Sequence, residues 1–144
     1  MKHFLHILVL TLILALPLRV CADTVTFDFT TDGGLKALGI EKPKQGKAAN
    51  LSDKGYTLQD VTLTQKKNNA PMPTRIWNSK GNIELRFYAN SELTLSVPAG
   101  KQITSIIFTG NLKSTCYSGA LNGLSWTNNN SMINSVTFKA SATN

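Results

Sequence analysis

Alternation of apolar and polar residues constrains the fold of this chain more than any other feature. Residues 24–30 place Val25, Phe27 and Phe29 on one side of an extended chain, and residues 83–88 repeat the pattern. A period of two is typical of a half-buried β-strand. No long amphipathic helical pattern competes with it, so the sequence predicts an all-β fold.

Turn signals separate the predicted strands, most clearly at Asn122-Gly123, where both residues tolerate positive φ. The predicted strands are 24–30, one or two short strands within 56–65, then 74–77, 83–88, 92–97, 102–109, 119–121, 124–127 and 135–140, with a helical turn at 35–38 and a long loop at 41–55. Eight or nine short strands of this kind predict an antiparallel two-sheet sandwich, jelly-roll-like in type.

The first 22 residues predict export. Their apolar run, residues 7–18, is shorter than the ~20 residues that span a bilayer. Val20-Cys21-Ala22 follows it and is close to the small-x-small pattern of signal peptidase sites. We expect a signal peptide at 1–22 and one domain at 23–144, located in the periplasm, at the cell surface or in the medium.

Lipid anchoring through Cys21 is an alternative that the sequence leaves open. Residues 18–21 resemble a lipoprotein box, in which the cysteine becomes the first mature residue. Val20 stands where that box has a small residue, and Arg19 is unusual within it. We therefore favour cleavage before Asp23.

Removal of residues 1–22 restricts the chemistry of the mature chain. His3, His6 and Cys21 leave with the signal peptide, so no histidine remains and Cys116 is the single cysteine, which we expect to be buried. Catalytic triads and histidine-based metal sites are thereby excluded. We predict a protein that is not an enzyme and has no cofactor, no metal and no catalytic residue.

Two alternative functions, glycan hydrolysis and calcium binding, would depend on carboxylate side chains. A glycan hydrolase needs a pair of them, and no spacing singles out a pair among the eight candidates, Asp23, Asp28, Asp32, Glu41, Asp53, Asp60, Glu84 and Glu92. Calcium could be held if three of these, Asp28, Asp32 and Asp53, met at one end of the fold. Capping of turns is the simpler interpretation of these aspartates.

The mature chain is moderately basic, with a net charge of +5 from 13 basic and 8 acidic residues. This charge supports weak attraction to acidic polysaccharide, anionic lipid or nucleic acid. The lysines are scattered, and no motif that reads nucleic acid accompanies them. We expect no specific nucleic-acid partner and no transmembrane helix in the mature form.

An arginine and aromatic pattern supplies the candidate ligand site. Arg75 and Trp77 are two residues apart, as are Arg86 and Tyr88, so each pair shares one face of its strand. Aromatic rings stack on the apolar face of a pyranose, and arginine donates to hydroxyls or carboxylates. Trp126 could extend the same surface.

The register between the two strands decides whether this surface exists. If Trp77 pairs with Ile83, its ring shares the apolar side with the core. If it pairs with Glu84, it faces outward with Arg86, and Arg75 then stands opposite that arginine, which is repulsive. For that reason we favour a core position or a packing role for Trp77.

Four stretches together carry a family resemblance. They are TVTFDFT, PTRIWNSKGNIELRFY, LTLSVPAGKQITSIIFTG and LNGLSWTNNNSMINSVTFKASAT. The chain resembles β-sandwich modules in exported and surface proteins of gut-type Gram-negative bacteria, most specifically at Thr74–Trp77 and Leu85–Tyr88. The resemblance implies a β-sandwich fold and an exported or surface location. It implies no activity, because the family is largely of unknown function. Such modules continue into a further strand, whereas this chain ends at Asn144, which predicts an open sheet edge.

These observations favour a non-enzymatic binding or adhesion module, with a polysaccharide or surface glycan as its partner. A structural module that pairs with a protein partner by strand addition at an open edge is the main alternative. The carboxylate hydrolase is the third.

Overall fold

The computed structural model describes residues 23–109, 114–116, 118–129 and 132–142. The predicted signal peptide, including Cys21, lies outside these residues. The described chain is all-β, as predicted, with eleven strands in three antiparallel sheets and one short helix. No helix among the described residues has the length and apolarity needed to cross a bilayer.

The element bounds are as follows. The helix α1 is Asp32–Ala37. The strands are β1 Ala48–Asn50, β2 Tyr56–Leu58, β3 Val61–Lys66, β4 Arg75–Ser79, β5 Asn82–Arg86, β6 Glu92–Ser96, β7 Ser105–Ile107, β8 Ser114–Cys116, β9 Ala120–Asn122, β10 Ser125–Thr127 and β11 Ser135–Ala140.

Three sheets replace the two that the sequence predicted, and eleven strands replace eight or nine. Sheet A has the order β1-β4-β5, sheet B the order β2-β3-β6-β11-β8 and sheet C the order β7-β10-β9. One additional strand, β1, lies inside the predicted loop 41–55, where it pairs with β4. Gln59, with φ 53°, turns the chain between β2 and β3 and divides the stretch 56–65 into two strands.

The segment 24–30 is a correction, because it forms no strand despite its alternation. The Asp28 carboxylate accepts hydrogen bonds from the Thr30 amide at 2.8 Å and from the hydroxyls of Thr30 and Thr31, so the chain bends here into α1. These bonds, that from the Thr31 hydroxyl first, lower the pKa of Asp28 to about 2. Thr31 then caps α1 by accepting from the Gly34 amide at 3.1 Å.

A two-residue turn joins β4 to β5. Ser79 pairs with Asn82, which leaves Lys80 and Gly81 as the loop, with φ of 51° and 94°. Positive φ at both loop positions is the requirement of a type I′ turn, whose twist matches that of the flanking strands. The buried Asn78 side chain holds the turn: its Oδ1 accepts from the Gly81 amide at 3.0 Å.

Two clusters of apolar side chains form the core. The first combines the inner face of sheet A with α1 and one half of sheet B, and its fully buried members include Ile76 and Leu35. The second combines sheet C with the other half of sheet B around Trp126 and Phe138, whose rings meet edge to face at 6.5 Å. Leu95 contacts both clusters, so sheet B is the common support.

The opposite face of sheet B is hydroxylated. Thr94 lies across from Thr64 on one side and from Thr137 on the other, and the Thr94 and Thr137 hydroxyls are 2.8 Å apart. Lys66 lies on this face as well, one step of the alternation beyond Thr64.

Truncation of Phe138 should cost the most stability. Its side chain is fully buried and contacts the rings of Phe108 and Trp126. We expect Phe138→Ala to lower the free energy of unfolding by about 3–5 kcal/mol, measured by chemical denaturation. The matched control is Ile107→Ala, whose side chain is 77% exposed and whose effect should stay within about 0.5 kcal/mol. Equal losses in the two variants would contradict this core.

Candidate functional site

The outer face of sheet A carries four of the five residues that the sequence singled out. Arg75 and Trp77 lie on it from β4, Arg86 lies on it from β5, and Tyr88 follows two residues later. All four side chains are half-buried. We call this set of four residues the Arg/aromatic strip.

The register of β4 and β5 excludes a core position for Trp77 and leaves the packing role that the sequence also favoured, with Arg86 over its ring. Trp77 pairs with Glu84, and Ile76 pairs with Leu85. The alternation therefore sends Ile76 into the core, where it is fully buried, and sends Trp77 to the outer face. The two-residue loop at Lys80 imposes this register, because a core position for Trp77 would need a loop of another length.

Each arginine of the strip lies over an aromatic ring. The Arg86 Cζ atom is 4.7 Å from the centroid of the Trp77 ring, and the Arg75 Cζ atom is 5.8 Å from that of Tyr88. Both distances fall within the ~6 Å range of cation–π attraction. The contacts run diagonally between the strands, so they order the rings and the guanidinium groups together.

The charge on this face is only partly balanced. Glu84 Oε1 lies 2.6 Å from a terminal nitrogen of Arg86 and accepts from its Nε at 2.8 Å. Arg75 stands directly across from Arg86, and within the described residues no carboxylate pairs with it. Its terminal nitrogen is 3.4 Å from the Met72 sulfur, and its buried Nε has no hydrogen-bond partner in the described chain.

The first strand completes the face, and sequence reasoning missed it. Ala48 lies across from Trp77, and Asn50 lies across from Arg75. A small residue beside the indole leaves room around that ring, and the exposed Asn50 amide adds a donor and an acceptor next to the guanidinium. The Ala-Ala-Asn stretch inside a lysine-rich segment carries no strand signal that could have found β1.

Tyr88 is held by the turn that follows β5. The Ser91 amide donates to the Tyr88 carbonyl at 2.9 Å, the Ser91 hydroxyl donates to the same atom, and Asn90 adopts φ 72°. Phe87 is 3% exposed and anchors the same segment in the core. Alternation from Phe87 then places Tyr88 on the outer side.

Trp126 does not belong to the strip, and its predicted role there is corrected. It lies in β10, the central strand of sheet C, and is fully buried in the second core cluster. Its indole N–H donates to the Ser118 carbonyl at 2.7 Å. Gly119 packs against the ring so closely that a Cβ there would lie 2.5 Å from the indole nitrogen.

The three aspartates considered for calcium have other partners. Asp28 accepts from Thr30 and Thr31, Asp32 pairs with Lys42 at 2.8 Å, and Asp53 accepts from Gln65. Among the described residues, no three side chains of the metal-ligating types lie together. Two shallow cavities of about 460 and 390 Å³ lie elsewhere, beside Gln65 and beside Thr62, and neither includes a residue of the strip.

Cys116 is half-buried at the end of β8, where full burial was expected.

Comparison with known protein families, with curated proteins and with solved structures yields no match. The resemblance to bacterial surface modules thus stays a prediction, and function must be inferred from the site itself.

The two tryptophans should differ in accessibility to a neutral quencher. In a Trp126→Phe variant the remaining emission comes from half-buried Trp77, and we expect acrylamide to quench it. In a Trp77→Phe variant the emission comes from fully buried Trp126, and we expect it to be blue-shifted and shielded. Shielded emission from Trp77 in a folded Trp126→Phe variant would place that ring in the core and contradict the register.

Proposed function

We propose that this chain is an exported, non-enzymatic binding or adhesion module that binds carbohydrate through the Arg/aromatic strip. The observation that carries the proposal is the outward register of β4 and β5, which puts two aromatic rings and two guanidinium groups on one face. The proposed export rests on the signal-peptide pattern of residues 1–22.

The chemistry of the strip suits a sugar. A pyranose has an apolar face formed by its C–H groups and an edge of hydroxyls. Tyr and Trp rings offer large apolar surfaces that lose little conformational freedom on binding. The arginines offer planar forks of donors. Because cation–π contacts already hold Arg86 against Trp77, part of the entropic cost of ordering these side chains is met before the ligand arrives.

A finer description of the fold belongs to the same proposal. We infer that sheet B forms one layer of a sandwich, and that sheets A and C together form the other. The support is the shared use of sheet B by both core clusters, with Leu95 in contact with each. In this arrangement the strip lies on an outer surface, where its four side chains are half-buried. The jelly-roll type remains our expectation from strand number and turn spacing.

A module that pairs with a protein partner at a sheet edge is the second candidate. In the described chain β5 hydrogen-bonds to β4 alone, so one side of a five-residue strand is free for strand addition. The sequence predicted an open edge near the end of the chain, but β11, the last strand of the described residues, pairs with a strand on each side, β6 and β8. Strand addition at β5 would not require the rings of the strip.

Binding of the purified protein to a panel of neutral and acidic polysaccharides tests the proposal. We expect Trp77→Ala and Tyr88→Ala to weaken binding by about 5- to 150-fold, because each removes a stacking surface worth about 1–3 kcal/mol in comparable ring contacts. Affinity electrophoresis at low and at high salt measures this, with circular dichroism to confirm folding.

The control is Ile107→Ala, which removes an exposed apolar side chain from sheet C, outside the strip. It should bind like the unaltered protein. If both aromatic variants retain full binding, or if salt abolishes all binding, only a basic surface remains and the sugar site is refuted.

A further inference from the structure

We infer that the ligand of the strip is an anionic glycan whose carboxylate, as in a uronic acid, is bound between Arg75 and Arg86. The inference rests on the proposed function and names the ligand class. It begins from the pairing of the two arginines, which are direct cross-strand partners. Direct partners in an antiparallel sheet have Cβ atoms about 5 Å apart, and like charges at such positions repel.

The repulsion between the two arginines is only half relieved within the protein. Glu84 neutralises Arg86 through contacts at 2.6 and 2.8 Å. Among the described residues the Arg75 guanidinium has a hydrogen-bond contact with the Met72 sulfur and a cation–π contact with the Tyr88 ring, and both partners are uncharged. The face therefore carries two guanidinium groups and one carboxylate, and a single further carboxylate would balance it.

Arginine also sets the geometry of that carboxylate. Its planar fork matches two carboxylate oxygens, and such charge-assisted bonds are roughly twice as strong as neutral ones. Neutral sugars can use the rings but leave the charge of Arg75 unpaired. Selectivity for the acid should therefore depend on Arg75, whereas stacking should depend on Trp77 and Tyr88.

The layout of the strip on sheet A suits a polymeric glycan that carries carboxylates. The strip runs diagonally from the Trp77 ring, with Arg86 over it, to the Tyr88 ring, with Arg75 over it, and the exposed Asn50 lies beside the strip on β1. Donors and rings thus alternate along one surface of sheet A. An extended glycan with a carboxylate on its sugar units presents the same alternation of apolar faces and anionic edges.

A matched pair of polymers tests the inference: polygalacturonate and its methyl-esterified form, which keeps the sugar and removes the charge. We expect the unaltered protein to bind the acid about tenfold or more tightly than the ester. Arg75→Gln should abolish this preference, because it should weaken binding of the acid much more than binding of the ester. Arg75→Lys, which keeps the charge and loses the fork, should retain only part of the preference.

Two further variants distinguish a specific carboxylate site from non-specific attraction by the basic surface. Glu84→Gln releases Arg86 and should tighten binding of the acid severalfold. Lys66→Gln removes the same unit of charge as Arg75→Gln, but on the hydroxylated face of sheet B, and should leave the preference intact. An equal loss in the Lys66 and Arg75 variants would show diffuse electrostatics and overturn the inference.

The outcomes distinguish this inference from the proposed function. Equal binding of acid and ester, lost in Trp77→Ala, overturns the anionic class and keeps the sugar site. Binding of neutral glycans alone has the same meaning. Binding to no polysaccharide overturns both.

Discussion

The two-residue turn at Lys80 and Gly81 is the constraint on which the candidate site depends. With Ser79 paired to Asn82, every later pair of β4 and β5 is set, and Trp77 must face away from the core. Asn78 secures this turn from inside the protein, since its side chain accepts from the Gly81 amide and donates to the Pro43 carbonyl at 2.9 Å. The Asn78 backbone also bonds to Lys47 and Gly46, so one residue ties the hairpin to the segment before β1.

The observed register of β4 and β5 has an energetic cost at the protein surface. It leaves an indole half-exposed and sets two arginines opposite each other, although a slip by one residue would bury the indole. The same slip would bring Arg75 to the inner side beside the indole, where charges are costly, and would turn Ile76 outward. The full burial of Ile76 therefore favours the observed register, together with the turn. Cation–π contacts and the Glu84 ion pair recover part of the cost at the surface, where each contributes about 1 kcal/mol or less.

Local patterns predicted the parts of the fold that obey local rules. Strands β3 to β6 and β11 follow from alternation. The register of β4 and β5 was not predicted, although the glycine at the second position of the Lys80-Gly81 loop suits the positive φ found there. The segment 24–30 shows the limit of alternation. Its apolar residues do pack, with the Phe27 and Phe29 rings stacked at 6.4 Å. However, the Thr30 amide donates its hydrogen bond to the Asp28 carboxylate and not to a neighbouring strand. The β1 strand and the burial of Trp126 depend on residues distant in sequence, β4 in one case and Phe138 in the other, and no local pattern contains those contacts.

The most direct test of the account is an NMR titration of the labelled protein with a short fragment of the glycan that binds most tightly. If the strip is the ligand site, amide shifts will concentrate on β4, β5 and Phe87–Tyr88, with the Trp77 indole signal moving and the Trp126 indole signal staying in place. Shifts concentrated on the hydroxylated face of sheet B, or spread evenly over the surface lysines, would contradict the central claim that the outward register of Trp77 creates the binding site.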